Sequence, residues 1–207
     1  MQAALLVLAT VTGFGCAGGS GATSAPSSTD LPAPPTTPMA SALPGSPGSP
    51  SGASPSSVAW ESEAWATRPL TDARTGEAFR LADLSDRVVF VETMAVWCTN
   101  CKAQQATARE AMATLDPARV VWIALDVDPG EDAPTLARYA DENGFPFTYA
   151  LAGADLSRDL AEAFGAQVLS PPATPIIVLA PDGRVTLTEF GHKDAARLAE
   201  LAREHGA

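Results

Sequence analysis

The chain has 207 residues, with 24 acidic against 13 basic side chains and a net charge of −11. Length alone admits one or two domains, and the acidic balance argues against nucleic acid as a partner and against adhesion to anionic lipid by charge. Three cysteines, a lone Cys16 and the close pair Cys98 and Cys101, are too few for a disulfide-stapled scaffold.

At the front, Ala3 to Val11 forms a short apolar core, followed by small residues and then Cys16. Residues 1–15 therefore read as a secretory signal. Gly15 directly before Cys16, with Ala-Gly-Gly-Ser-Gly after it, resembles the bacterial lipoprotein pattern. That resemblance implies lipidation at Cys16, which would become the first residue of the mature protein. The box Gly13-Phe14-Gly15-Cys16 departs from the pattern, which prefers Leu three before the cysteine and a small residue two before it. A plain cleaved signal and an ordinary buried N-terminus stay open beside it. Residues 16–57 are almost all Gly, Ala, Ser, Thr and Pro, with Asp30 the sole charge and no aromatic. Such a stretch cannot bury enough apolar surface to offset its ordering entropy. It is expected to be a disordered tether, spanning ~35 Å as a flexible coil. After residue 15 no stretch is long and apolar enough to cross a bilayer.

A folded domain is expected over residues 58–207. Thr75-Gly76, between Pro69-Leu70 and Phe79-Arg80-Leu81, predicts a short hairpin. Val88 to Thr93 predicts a buried strand. Thr99 to Leu115 predicts a helix with Ala108, Ala111, Met112 and Leu115 inward, stopped by Asp116-Pro117. Val120 to Val127 is near-continuously apolar, as a central parallel strand should be. Ala133 to Asn143 predicts a helix with Asp132 as N-cap, Gly144 as stop, and Ala133, Leu136, Ala137 and Ala140 inward. A short strand follows over Phe147 to Leu151. Asp155 to Phe164 predicts a helix with Leu156, Leu160, Ala163 and Phe164 on one face. Ile176 to Ala180 and Arg184 to Phe190 predict two strands joined at Pro181-Asp182-Gly183. Asp194 to Glu204 predicts the last helix. The order is an N-terminal hairpin, then β-α-β-α-β-α-β-β-α. It implies an α/β domain with a mixed sheet covered by helices on both faces.

The chemistry concentrates at Trp97-Cys98-Thr99-Asn100-Cys101-Lys102. A strand running into a Cys-x-x-Cys turn that opens a helix is a redox device. The positive end of the helix dipole stabilises a thiolate on the first cysteine. The spacing lets the second cysteine close a disulfide on it. A zinc half-site would need two more ligands, and His192 and His205 are the histidines available. A structural disulfide is the other bland reading.

Residues 88 to 102, Val-Val-Phe-Val-Glu-Thr-Met-Ala-Val-Trp-Cys-Thr-Asn-Cys-Lys, and 173 to 185, Ala-Thr-Pro-Ile-Ile-Val-Leu-Ala-Pro-Asp-Gly-Arg-Val, resemble the thioredoxin superfamily. The first looks like its active-site strand and helix, the second like its cis-proline segment and last hairpin. The resemblance spans about residues 66 to 205. The extra helix and strand between residues 132 and 151 look like the insertion of the TlpA-like and redoxin branch. That branch is largely membrane-tethered and extracytoplasmic.

The resemblance implies a thioredoxin fold and a protein-disulfide oxidoreductase without a cofactor. Cys98 would attack a partner disulfide and Cys101 would resolve the mixed disulfide. Glu92, on the same strand face as Phe90, matches the family's buried acid, which moves protons for the resolving thiol. A solvated residue at the strand's edge is the bland alternative. Gln104 is neutral where some tethered reductases place a second acid. Trp97 would cover the disulfide and form part of the partner surface, or simply pack in the core. Pro175 would be cis, with Thr174 offering backbone to an extended partner strand, and Pro171-Pro172 lengthens that loop. Asp126, Asp128, Glu131 and Asp132 lack the ligand spacing of a calcium loop. They read as solvated loop and helix-cap charge, with His192 on the surface and His205 in a fraying tail.

The reaction expected is reduction of disulfides on exported proteins or apocytochromes, fed by a membrane thiol carrier. A monomer held by a lipid anchor is expected. Three alternatives compete. A disulfide-donating oxidase would use the same residues. A copper-binding redoxin-like module would use Cys-x-x-x-Cys, one residue longer than the spacing here. A peroxidase of the peroxiredoxin type would need Thr or Ser where Ala95 stands.

Overall fold

The computed structural model describes residues 59–207. The signal expected over 1–15, Cys16, the tether over 16–57 and residue 58 lie outside the described residues. The α-helices are α1 (Ala64–Thr67), α2 (Thr99–Met112), α3 (Ala133–Asn143), α4 (Ala154–Phe164) and α5 (Ala195–Glu204). The strands are β1 (Leu70–Thr71), β2 (Ala78–Phe79), β3 (Val88–Met94), β4 (Val120–Asp126), β5 (Thr148–Leu151), β6 (Ile176–Leu179) and β7 (Val185–Leu187). The expected order of elements is present.

β1 and β2 form the expected antiparallel hairpin. The other five strands form one mixed sheet in the order β5-β4-β3-β6-β7. β3 pairs parallel with β4, which pairs parallel with β5. On its other edge β3 pairs antiparallel with β6, and β6 with β7. Every residue of β3 is buried, which is why its sequence reads as an apolar run broken only by Glu92 and Thr93.

The pleat divides β3 between two cores. Val88, Phe90 and Met94 face a layer with Ala108, Leu136 and Leu198, supplied by α2, α3 and α5. Val89 and Val91 face the opposite layer, with Leu156 and Leu160 of α4. The chain steps from β3 to β4 to β5 in one direction, so right-handed crossovers put α2 and α3 on one face. It then returns to β6 on the other side of β3, which brings α4 to the second face. Phe90 and Trp122 stack at 5.4 Å between ring centroids.

α3 is capped as expected, and Asp194 proves to be the N-cap of α5 rather than its first residue. Asp132 accepts a hydrogen bond from Thr135 N at 2.9 Å, and Asp194 from Arg197 N at 2.8 Å. Gly144 closes α3 at φ 62°, in the left-handed region that glycine enters without a Cβ clash.

Several expectations are corrected. α2 ends at Met112 rather than Leu115, because the Thr114 hydroxyl and amide both turn back to Ala111 O. In α3 the aromatic Tyr139 is buried, while Ala133 and Ala137 are half-buried; in α4 Ala163 is exposed. β7 stops at Leu187 rather than Phe190, because the chain turns at Gly191 (φ 98°) to bond Ala173 O. His205 is not in a fraying tail. It is 4% exposed, with Nε2 2.9 Å from Thr186 Oγ1 and Nδ1 2.8 Å from Leu201 O.

Ahead of β1, Trp60 donates its indole N–H to Ala180 O at 2.8 Å and stacks on Trp65, which meets Phe164 edge-on. Trp60 is 1% exposed. Trp60→Ala should lower the unfolding free energy by about 3–5 kcal/mol, as expected for an emptied aromatic site. Urea denaturation followed by circular dichroism measures it. A loss under about 1 kcal/mol would mean that this segment is not part of the cooperative core.

Candidate active site

β3 delivers the chain to Cys98, which is the N-cap of α2. Cys98 and Cys101 are disulfide-bonded, with Cα atoms 5.3 Å apart. Cys98 Sγ accepts from Cys101 N at 3.1 Å. A sulfur therefore stands where Ser or Asp usually caps a helix. When the bond is reduced, that amide and the helix dipole favour a thiolate on Cys98. Cys101 is fully buried, and its sulfur lies 3.2 Å from Pro171 O. A reduced Cys101 thiol can donate to that carbonyl, which favours its protonated form.

Four side chains fix the approach to the pair, two from each side. Glu131 accepts from Val96 N through both carboxylate oxygens, at 3.0 and 3.1 Å. Asp128 accepts from Trp97 Nε1 at 2.6 Å, and this bond holds its carboxyl below the usual range. On the other side Asn100 Nδ2 donates to Pro172 O at 2.9 Å, and Lys193 Nζ donates to Thr174 O at 2.6 Å. Trp97 is 57% exposed, so it is a surface residue beside the disulfide and not core packing.

The acidic stretch is therefore not simply solvated charge. Asp126 is 1% exposed at the end of β4, and its Oδ1 accepts from Asp128 N at 2.8 Å. Burial, reinforced by the neighbouring Glu131, pushes its carboxyl well above the usual range. Asp132 is the helix cap, as expected. Sequence shows four acids in seven residues; it does not show that two of them grip the loop ahead of Cys98.

Glu92 is fully buried, on the same face as Phe90, and the strand-edge alternative is excluded. Burial pushes its carboxyl up to about 8, while Gln105, Trp122 and the Lys193 charge pull the other way. Both Glu92 oxygens, Gln105 Nε2 and Trp122 Nε1 are buried without a hydrogen-bond partner among the described residues. Gln105 Oε1 in turn accepts from Tyr149 OH at 2.7 Å. A protonatable group with unspent acceptors thus lies in the core layer that holds the cysteines.

Thr174 is buried and left-handed (φ 43°, ψ 54°), the one non-glycine residue with positive φ among the described residues. Its N–H bonds Pro171 O at 2.8 Å. With its carbonyl on Lys193, only that oxygen's second lone pair remains for a partner strand. Pro175 is buried between Thr174 and β6. Asn100, Ala103, Pro172, Thr174, Gly191 and His192 line a groove of about 250 Å³ beside the pair. A larger groove of about 380 Å³ lies at the far end of α2, around Met112, Pro117 and Trp122, and holds no cysteine.

Gln105, Trp122, Glu131 and Lys193 were not indicated by sequence. Gln105 carried a usable signal, since it lies four residues after Cys101 on the same helix face. Lys193 carried none: in Phe190-Gly191-His192-Lys193-Asp194 it looks like an ordinary surface lysine.

Residues 66–188 match the AhpC/TSA family. The chain belongs to that family. Solved structures share its thioredoxin fold. A thiol:disulfide interchange protein of the thioredoxin family from Chlorobium tepidum superposes with a TM-score of 0.58 at 17% identity, covering 67% of this chain and 92% of that one. A thioredoxin-related protein from Neisseria meningitidis serogroup B gives 0.55 at 15%, covering 66% and 97%. A secreted disulfide oxidoreductase from Mycobacterium tuberculosis gives 0.51 at 14%, covering 68% and 97%. Family membership together with the Cys98–Cys101 pair makes the chain a thiol-disulfide oxidoreductase.

Glu92 gives a pH signature. Folded, it keeps its proton up to about pH 8, whereas an unfolded glutamate releases it near 4.5. The folded state therefore binds more protons across that window, and stability falls as pH rises through it. Glu92→Gln should gain on wild type progressively from pH 4.5 to 8 and keep the full gain above 8. Denaturation midpoints of both proteins across pH measure this. A constant difference would mean that Glu92 ionises normally.

Proposed function

We propose that this protein is an extracytoplasmic, lipid-anchored reductase of protein disulfides. The observation that carries the chemistry is the Cys98–Cys101 disulfide at the N-terminus of α2, with Glu92 buried in the same core layer. In the reduced protein, the Cys98 thiolate attacks one sulfur of a partner disulfide. The partner S–S bond breaks, a mixed disulfide forms, and the departing partner thiolate takes up a proton. Glu92, in its ionised form, then takes the proton of Cys101, and the Cys101 thiolate attacks Cys98 Sγ. The mixed disulfide breaks, the second partner thiolate leaves, and the Cys98–Cys101 bond closes. Two electrons have passed to the partner, and a thiol carrier in the membrane restores the dithiol. Trp97, Thr174 and Pro175 would receive the partner.

Location and anchoring rest on the apolar stretch before Cys16 and on the Gly/Ala/Ser/Pro composition of residues 16–57. A secreted disulfide oxidoreductase among the structural neighbours supports the extracytoplasmic location alone. The substrates proposed are exported proteins or apocytochromes, and the protein acts as a monomer. The peroxidase alternative finds little support at Ala95, which is buried and brings no hydroxyl to the attacking sulfur.

Electron direction is tested by equilibrating the pair with thiol/disulfide buffers and trapping free thiols. A potential near about −270 mV supports the reductase, and one near about −120 mV makes the same residues a disulfide donor. Cys101→Ser should trap the mixed disulfide on Cys98, and Cys98→Ser should abolish turnover. Metabolic acyl labelling tests Cys16; a mature protein without acyl chains removes the anchor.

A further inference from the structure

Lys193 is 1% exposed and ranks among the largest fully buried side chains. Lysine is almost never fully buried unless its charge has partners. Its Nζ donates to Thr174 O at 2.6 Å and to Gly191 O at 2.7 Å. Its backbone is latched to α2 in both directions. Lys193 N donates to Gln104 Oε1 at 2.7 Å, and Gln104 Nε2 donates to Lys193 O at 3.0 Å. Gly191 N, two residues earlier, holds Ala173 O at 2.8 Å.

These bonds join two pieces of chain that meet at the disulfide. One is the loop Pro171–Thr174, ahead of Pro175. The other is the first half of α2, which carries Cys98 and Cys101. Between them sits a residue whose charge is costly to bury. Burial lowers the Lys193 ammonium to about 8, with Glu189 and Glu92 opposing the shift. A leucine or methionine would fill the same volume without that cost. What an apolar side chain cannot do is donate to two carbonyls at once. One of those carbonyls belongs to Thr174, whose left-handed backbone needs something to hold it.

We propose that Lys193 is a positioning residue of the redox site. Bonded to the Thr174 and Gly191 carbonyls and latched through Gln104 to α2, it sets how the Thr174–Pro175 loop lies over the cysteine pair. It thereby governs how protein disulfides dock. The first attack on a small disulfide, which needs only the Cys98 sulfur, depends on it far less. The inference rests on the reading of Thr174 and Pro175 as the partner-binding loop.

The test compares two substrates on the full chain: insulin as a protein disulfide, and 5,5′-dithiobis(2-nitrobenzoate) as a small one. Lys193→Met keeps the volume and removes the donors. Its kcat/KM for insulin should fall about 10- to 100-fold, mainly through KM, as for a misplaced docking element. Its rate of first attack on the small disulfide, a step that precedes any action of Glu92, should fall far less than the insulin value. An equal fall on both substrates, or no fall on either, overturns the proposal. Pro175→Ala separates the two ideas. If it shows no difference between substrates, the loop is not the docking element and the underlying reading fails. If it shows the difference and Lys193→Met does not, the role of Lys193 alone fails. Should Lys193→Met not fold, the wild-type protein decides by NMR. A slowly exchanging Lys193 ammonium coupled to the Thr174 and Gly191 carbonyls is expected, and a freely exchanging one overturns the proposal.

Discussion

The first turn of α2 leaves amide groups with no partner inside the helix, and the protein fills that gap with sulfur. Cys98 caps the helix with the atom that reacts. A hydroxyl or carboxylate there would cap as well and do no redox chemistry. The choice ties reactivity to local stability, since one helix end both ends a strand-to-helix turn and polarises a thiol. The rest of the site steadies this one turn. The β4–α3 loop holds Val96 and Trp97, the Pro171–Pro172 loop meets Asn100 and Cys101, and the segment before α5 locks to Gln104.

Around that turn the core is unusually polar. Glu92, Gln104, Gln105, Asp126, Thr174 and Lys193 are all buried. An apolar set of equal volume would be easier to desolvate. Gln104 and Lys193 satisfy one another and the backbone, and they serve geometry. Glu92, Gln105 and Trp122 keep unspent hydrogen-bonding capacity, which suits a group that must gain and lose a proton while the sulfurs change partners. The two behaviours occur side by side in one layer of side chains.

Much of this was legible in sequence because it follows from periodicity and local chemistry. The run Val88 to Thr93 ahead of a Cys-x-x-Cys placed the strand, the helix start and the disulfide. Asp132 and Gly144 fixed the ends of α3 through their caps. Alternation put Glu92 on the face of Phe90, while its burial came only as an implication of the family resemblance. What stayed hidden depends on long-range contact. His205 is buried because the C-terminus folds against β7, 19 residues earlier in sequence at Thr186. Glu131 reaches Val96 across 35 residues, and Lys193 reaches Gln104 across 89. No local pattern distinguishes those charges from solvated ones. The sequence pattern carries β7 beyond Leu187 because nothing local in Thr188 to Phe190 marks the turn that the Gly191–Ala173 bond imposes.

The indole of Trp60 meets Ala180, just past the end of β6 that pairs with Val89. Cys98 lies beyond the opposite end of β3, past Met94. The N-terminal portion of the described chain is thus moored at one pole of the sheet and the cysteine pair lies at the other. Strain applied along the backbone ahead of Trp60 would load the Ala180 pole first. The cysteine turn would be the last part to feel it, because the whole length of β3 lies between the two poles.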